Sequence, residues 1–266
     1  MTTNLPGGFV HPSQSLLSPA PSSALSTTTV TSSLPQQRTH PLKPGSAKEN
    51  SLIQYVDARL LEINRRHAKK FSSSFSAEDD KDRGYENFRE VAKDIEVVAD
   101  VLWVSGTPSL QTPYLISLAG LVNSYLRDFP FKPRPTFRLL KKLDAMFASL
   151  LQGKDVETDA VLPGFETRRD HVSMTEKVRI KSIVESTRIT VVETQDKEDS
   201  ETADAENDEN DDMEGDEDTG EFCGDSDDFG IEGYGDGLGR WEMESARVYE
   251  RTIQVLGDEL GKQGPL

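Results

Sequence analysis

One cysteine, Cys223, is all that 266 residues contain. No intrachain disulfide can form and no thiolate metal site can be assembled from cysteine, which fits a reducing compartment. Long apolar runs are missing as well. The longest, "YLISLAGLVNSYL" at 114–126, falls short of the roughly 20 residues that span a bilayer and is broken by Ser and Asn, so it is expected as a buried core helix. The opening "MTTNLPGGFVHPSQSLL" has neither a charged n-region nor a continuous apolar stretch, which excludes an ordinary secretory signal. A mitochondrial presequence is disfavoured. The first arginine is Arg38, and Pro6, Pro12, Pro19 and Pro21 would break the amphipathic helix such a presequence forms. Sustained strand alternation and internal repeats are also lacking.

Recognisable catalytic patterns are absent. The four histidines, His11, His40, His67 and His171, include no pair at metal-ligand spacing. "DENDDMEGDEDTGE" is rich in oxygen ligands but lacks the D-x-[DN]-x-[DN]-G-x₅-E order of a calcium loop. "SGTPS" at 105–109 raises the question of a nucleophile or a phosphate loop, yet neither G-x-S-x-G nor G-x-x-x-x-G-K-[ST] is present. The same residues suit a joint between helices. Gly106 can take the left-handed position past a helix end, Thr107 can cap the next helix, and Pro108 is favoured at its first position. No catalytic, cofactor-binding or metal-binding residue is expected, and no enzyme.

Charge is abundant and unevenly placed. The net charge is −17. Residues 196–236 hold 20 acids against one basic residue, Lys197, while the remaining 27 acids and 29 bases nearly cancel. A run of this kind is expected to be unfolded, acting as a solubilising tether or as a binder of basic proteins such as histones. Residues 1–49 carry seven of the 14 prolines and 16 Ser or Thr, with little apolar clustering, and are expected as a disordered arm. The one concentrated basic patch is Arg65, Arg66, Lys69 and Lys70 at a helix end, a candidate for nuclear localisation or phosphate contact. Direct nucleic-acid binding is the less favoured use of so short a cluster.

Between these segments the apolar period is helical. The first helix is expected from Asn50 or Ser51 with Leu52, Val56, Leu60 and Ile63 as its stripe, and the second from Tyr85 to about Val104. A third covers about 108–127, apolar nearly all round and therefore central. A fourth carries Phe137, Leu140, Leu143, Phe147 and Leu150 and ends at Gly153. A loop around "LPGF" leads to a fifth that opens on the Ser173–Glu176 capping box, with its last turn at "RITVV" weakened by β-branching. "RDFPFKPRPTF" is read as a rigid connector, with Phe129 and Phe131 as candidates to flank a partner groove. Beyond the acids, Trp241, Val248, Tyr249, Ile253, Leu256 and Leu260 line one side of a last helix that either docks on the bundle or awaits a partner.

The expected fold is all-α: a bundle of about five helices over 50–193, a disordered arm over 1–49, an acidic disordered linker over 194–239, and an amphipathic helix over 240–261. "LWVSGTPSLQTPYL" and "RPTFRLLKKLDAMFASLLQG" resemble a family of filamentous-fungal helical proteins, some of which carry a meiotic-recombination label. The resemblance covers about residues 50–192 and implies a nuclear, chromosome-related accessory role. The ATP-binding loop of a recombinase is absent. The functional expectation is a non-enzymatic adaptor of a nuclear complex, with the cytoplasm as the alternative location. Its partners are proteins, with no cofactor and no membrane. The oligomeric state stays open.

Overall fold

The computed structural model describes residues 34–71, 83–166, 171–208 and 237–261. Those residues form an all-α fold whose helices are α1 (Ala47–Ala68), α2 (Phe88–Val104), α3 (Pro108–Tyr125), α4 (Pro133–Gln152), α5 (Met174–Asp208), α6 (Gly237–Ala246) and α7 (Glu250–Gly261). Their only strand-like feature is an isolated bridge between Lys154 and Val161. One apolar core joins all of them, from Val56 and Ile63 on α1 to Val248, Tyr249 and Leu256 in the last turn and helix.

The helices start and stop for local reasons. Ser46, not Asn50 or Ser51, caps α1: its hydroxyl accepts from the Glu49 N–H at 3.2 Å, while the Glu49 carboxylate accepts from the Gly45 N–H. This is a capping box shifted by one residue on the carboxylate side, since Glu49 takes the N–H before the cap while the Ser46 N–H donates to the Lys43 carbonyl, and it lengthens the helix beyond the apolar stripe. Asn87 caps α2 by accepting from the Glu90 N–H at 3.1 Å. Tyr85, expected inside that helix, precedes it; it is fully buried, donates to Asp94 at 2.7 Å and lies under the Arg66 guanidinium.

The 105–109 joint has the expected geometry with one change. Gly106 has φ +55°, and a Cβ there would meet Pro163 and the Arg38 carbonyl at 3.2 and 3.3 Å. Pro108 opens α3. Thr107 occupies the cap position but makes no capping bond to α3. Its hydroxyl donates to the Ser105 carbonyl and accepts from the Leu42 N–H at 2.9 Å. Thr107 therefore fastens the segment before α1. With Leu34 and Leu42 buried and the Arg38 N–H on the Val104 carbonyl, residues 34–46 pack on the bundle. The composition that suggests an unfolded arm does not hold for these residues. Two well-spaced leucines and backbone bonds to a helix end are enough to seat them. Residues 47–49 of the expected arm form the first turn of α1, and residues 1–33 lie outside the described residues.

α3 touches α2, α4 and α5, as its apolar composition implies, and presents Ser109, Pro113, Ser117 and Ser124 outward. α4 begins at Pro133 and keeps Pro135 within its first turn, where a missing N–H costs nothing. It ends at Gly153 with φ +71°, under which the buried Phe165 ring is packed. α5 passes through "RITVV" and on to Asp208, well into the acidic run. Neither Gly nor Pro occurs between Met174 and Asp208, and the hydroxyls of Thr187, Thr190 and Thr194 bond back to carbonyls four residues earlier. The remainder of the acidic run, 209–236, lies outside the described residues.

Candidate functional site

The expected last helix is two helices, and the break builds a seat on α4. α6 ends at Ala246, the chain turns through Arg247–Tyr249, and α7 departs from Glu250. Tyr249 makes the turn with φ +54°, a conformation unfavourable for a non-glycine residue. No Gly or Pro marks the place, so apolar periodicity alone reads straight through it. The turn lets Val248 and Tyr249 both enter the core, at 4% and 1% exposure.

α4 supplies the seat. Phe137, Leu140, Phe147 and Leu151 lie at helical spacing on one buried face, and Asp144 falls in the same row. Trp241 of α6 stacks on Phe137, with ring centroids 5.7 Å apart and planes at 9°. The Tyr249 ring lies 6.2 Å from Phe147. Asp144 caps α7 from outside that helix: its Oδ1 accepts from the Thr252 N–H at 2.9 Å and from the Thr252 hydroxyl at 2.7 Å. The carboxylate thereby satisfies a first-turn N–H that no residue of the Arg247–Tyr249 turn caps with a side chain. Outside this seat, Ser245 donates to Gln195 at 2.7 Å, Arg188 donates to the Ala246 carbonyl, and Arg251 faces Glu157 at 3.7 Å.

Electrostatics at the seat are unusual in two groups. Burial raises the Asp144 pKa above the ordinary carboxylate value, with the Thr252 bonds pulling the other way. Burial, followed by the Asp144 charge, drives the Tyr249 phenol well above its ordinary range. The Tyr249 hydroxyl is buried without a hydrogen-bond partner. A cleft of about 300 Å³ adjoins the turn, lined by the cations Lys141, Arg247 and Arg251 and the acids Asp144, Glu244 and Glu250. The opposite charges balance, so the cleft has no preference for an ion of one sign.

The partner-binding candidates of the sequence are thus placed largely inside the chain. Val248, Tyr249 and Leu256 are buried, and Trp241 and Ile253 are partly buried against the same core. Leu260 is carried on α7, and its side chain lies outside the described set. Of the two alternatives for this helix, docking on the bundle is what the structure displays. Phe129 and Phe131 are buried at 5% and 6%; Phe131 meets Phe137 edge-on at 5.9 Å, and Phe129 packs near Phe71 and His67. They fix the connector in place.

The basic patch is not one surface. Arg66 bonds Asp94 at 2.7 Å and covers Tyr85, Lys70 bonds Asp128 at 2.8 Å, and Lys69 also has a partner, while Arg65 is exposed. His67 stacks on Tyr125 with centroids 3.6 Å apart and bonds Asp128 at 2.8 Å. Burial holds its pKa below the usual imidazole value. Among the described residues no His, Cys, Asp or Glu group could hold a metal ion, and no helix is long and apolar enough to cross a membrane.

Asp144 is the functional residue that pattern reading passes over. Its signal was present: an acid at a stripe position in "LKKLDAMF", between Leu140 and Phe147, needs buried donors.

A family described as TFB6, subunit 11 of the general transcription factor TFIIH, matches residues 84–257. The chain belongs to the TFB6 family. The matched region opens just before Tyr85, takes in α2 to α6 and most of α7, and so includes both Asp144 and its partner Thr252. The TFB6 description is that of a transcription-factor subunit and names no reaction. An uncharacterized protein of Schizosaccharomyces pombe is 26% identical over 149 residues, 54% of this chain and 77% of its own length. No solved structure matches.

Proposed function

We propose that this protein is a non-enzymatic, protein-binding subunit of a nuclear assembly built on TFIIH. The observation that carries the reading is the TFB6 match over 84–257, which coincides with α2–α5 and the α6–α7 tail packed on them. The tail is part of one body with the bundle, so partner contacts fall on its outward faces and on the segments flanking the match. A tagged full-length chain purified from nuclear extract should co-elute with TFIIH subunits through size exclusion. Elution apart from every one of those subunits, with the tagged chain intact, overturns the reading.

Two finer readings come from the sequence alone. A recombination-related role follows only from the fungal resemblance; normal meiotic crossover frequency in a strain lacking the protein would dismiss it. Binding of basic proteins follows only from the acids at 196–236, and histone binding unchanged by their deletion would dismiss it.

A further inference from the structure

α5 carries two apolar faces. Ile180, Val184 and Val191 are buried against the bundle. On the opposite side Met174, Val178, Ile189 and Val192 are exposed at 44%, 55%, 57% and 47%. At 100° per residue these four fall within one narrow stripe, together with Lys181 and Glu185, whose side chains are 51% and 59% exposed. A helix packed on one side only needs no second stripe, and here Met174 with Val178 and Ile189 with Val192 form two exposed apolar pairs about 27 Å from end to end, with Lys181 and Glu185 between them.

The order of residues along the stripe identifies its occupant. Read about position 183, its ends and centre are self-complementary in reverse: Met174 falls opposite Val192 and Lys181 opposite Glu185, while Val178 falls opposite Arg188, one residue from Ile189. A parallel pairing would set Lys181 against Lys181 and Glu185 against Glu185. We propose that the outer face of α5 is the contact of a two-fold dimer, in which α5 of a second copy lies antiparallel and two Lys181–Glu185 pairs flank the axis. An isologous interface needs a self-complementary patch, and this order supplies one, since each contact then occurs twice. A different protein would have no reason to require it. Within one chain Lys181 and Glu185 stand 3.8 Å apart, a loose pair that leaves both heads available. One pair of helices along this length offers less than the about 1,200–2,000 Å² of stable interfaces, so the dimer is weak and concentration-dependent. The inference concerns self-association and does not depend on membership of a TFIIH assembly.

Sedimentation velocity of the full-length chain over a concentration series tests it. The wild-type chain should shift from monomer towards dimer. Lys181→Glu and Glu185→Lys, each alone, place like charges in both central pairs and should weaken association at least about tenfold. Mixed one to one, the two variants restore opposite charges in each pair and should recover a heterodimer of near wild-type strength. Val178→Asp with Ile189→Asp should abolish association while leaving the circular dichroism unchanged, because both residues are exposed. A monomer at every concentration would assign the stripe to a different protein and overturn the proposal. A dimer indifferent to either charge reversal, or variants that fail to recover on mixing, would overturn it equally.

Discussion

Asp144 occupies a position on α4 where the helical stripe calls for an apolar side chain, and α7 begins where it points. Replacing it with Ala strands the Thr252 N–H and hydroxyl in the core. The combined loss of a cap and of buried bonds should cost about 2 kcal/mol in urea unfolding. Asp144→Asn keeps an oxygen for Thr252 and removes a charge that burial disfavours, so near neutral pH it should cost less than about 1 kcal/mol. A larger loss for Asn than for Ala would show that the charge itself holds α7. The sign of the pH effect follows from the raised pKa. The part of Asp144's contribution that is linked to its raised pKa is fully present below the ordinary carboxylate value and is lost as pH rises through its own higher one, whereas the bonds to Thr252 persist. Relative to wild type, the disadvantage of the Asn variant should therefore shrink as pH rises from the ordinary carboxylate value through the higher Asp144 pKa. Tyr249 offers the complementary case. Its hydroxyl is buried with no partner, so Tyr249→Phe should leave stability unchanged or raise it by up to about 1 kcal/mol, readable as an upward shift in thermal midpoint. A clear loss would mean that the phenol has a partner such as a bound water.

At the scale of elements, α4 ends at a glycine for two reasons that act together. Gly153 is left-handed, and a Cβ on it would come within 2.6 Å of the Phe165 ring. Gly153→Ala should cost about 2 kcal/mol from strain and displacement of that ring, measured by chemical denaturation; a loss below about 0.5 kcal/mol would mean that the 153–165 loop moves freely. This stop signal was legible from sequence, as were Gly106, Pro108 and the Ser173–Glu176 box, because each depends on backbone conformations or bonds within a few residues. The five bundle helices were legible for a similar reason, since period 3.6 follows directly from burying one face. What escaped depends on long-range contacts. The α6–α7 break is imposed by a seat on α4 over 100 residues earlier in the chain, and Thr107 turned from capping α3 to holding Leu42 because the 34–46 segment lies within reach. The α5 extension escaped for a different reason. An acidic run reads as unfolded by charge, although it lacks any helix breaker as far as Asp208.

For the whole molecule, the question is what the tail does to a bundle whose α4 would otherwise expose Phe137, Leu140 and Phe147. Trp241, Val248, Tyr249 and Leu256 complete the core instead of extending from it, although residues 209–236 separate them from α5 in sequence. Each large side chain buried in this way is worth about 1.5–3 kcal/mol of transfer free energy, offset by the entropy of ordering two helices. A chain truncated after Asp208 should therefore unfold at lower denaturant, by at least about 3 kcal/mol, and should bind a hydrophobic dye that the intact chain does not. Adding residues 237–266 back as a separate peptide should reverse both effects, and Asp144→Ala in the truncated chain should weaken that rescue. The acidic segment then counts as a tether that raises the local concentration of the tail near its seat. If truncation changed neither stability nor dye binding, the tail would contribute nothing to the fold. Its apolar face would then have to be explained by a partner, and the TFB6 match across both parts would reflect two separate units.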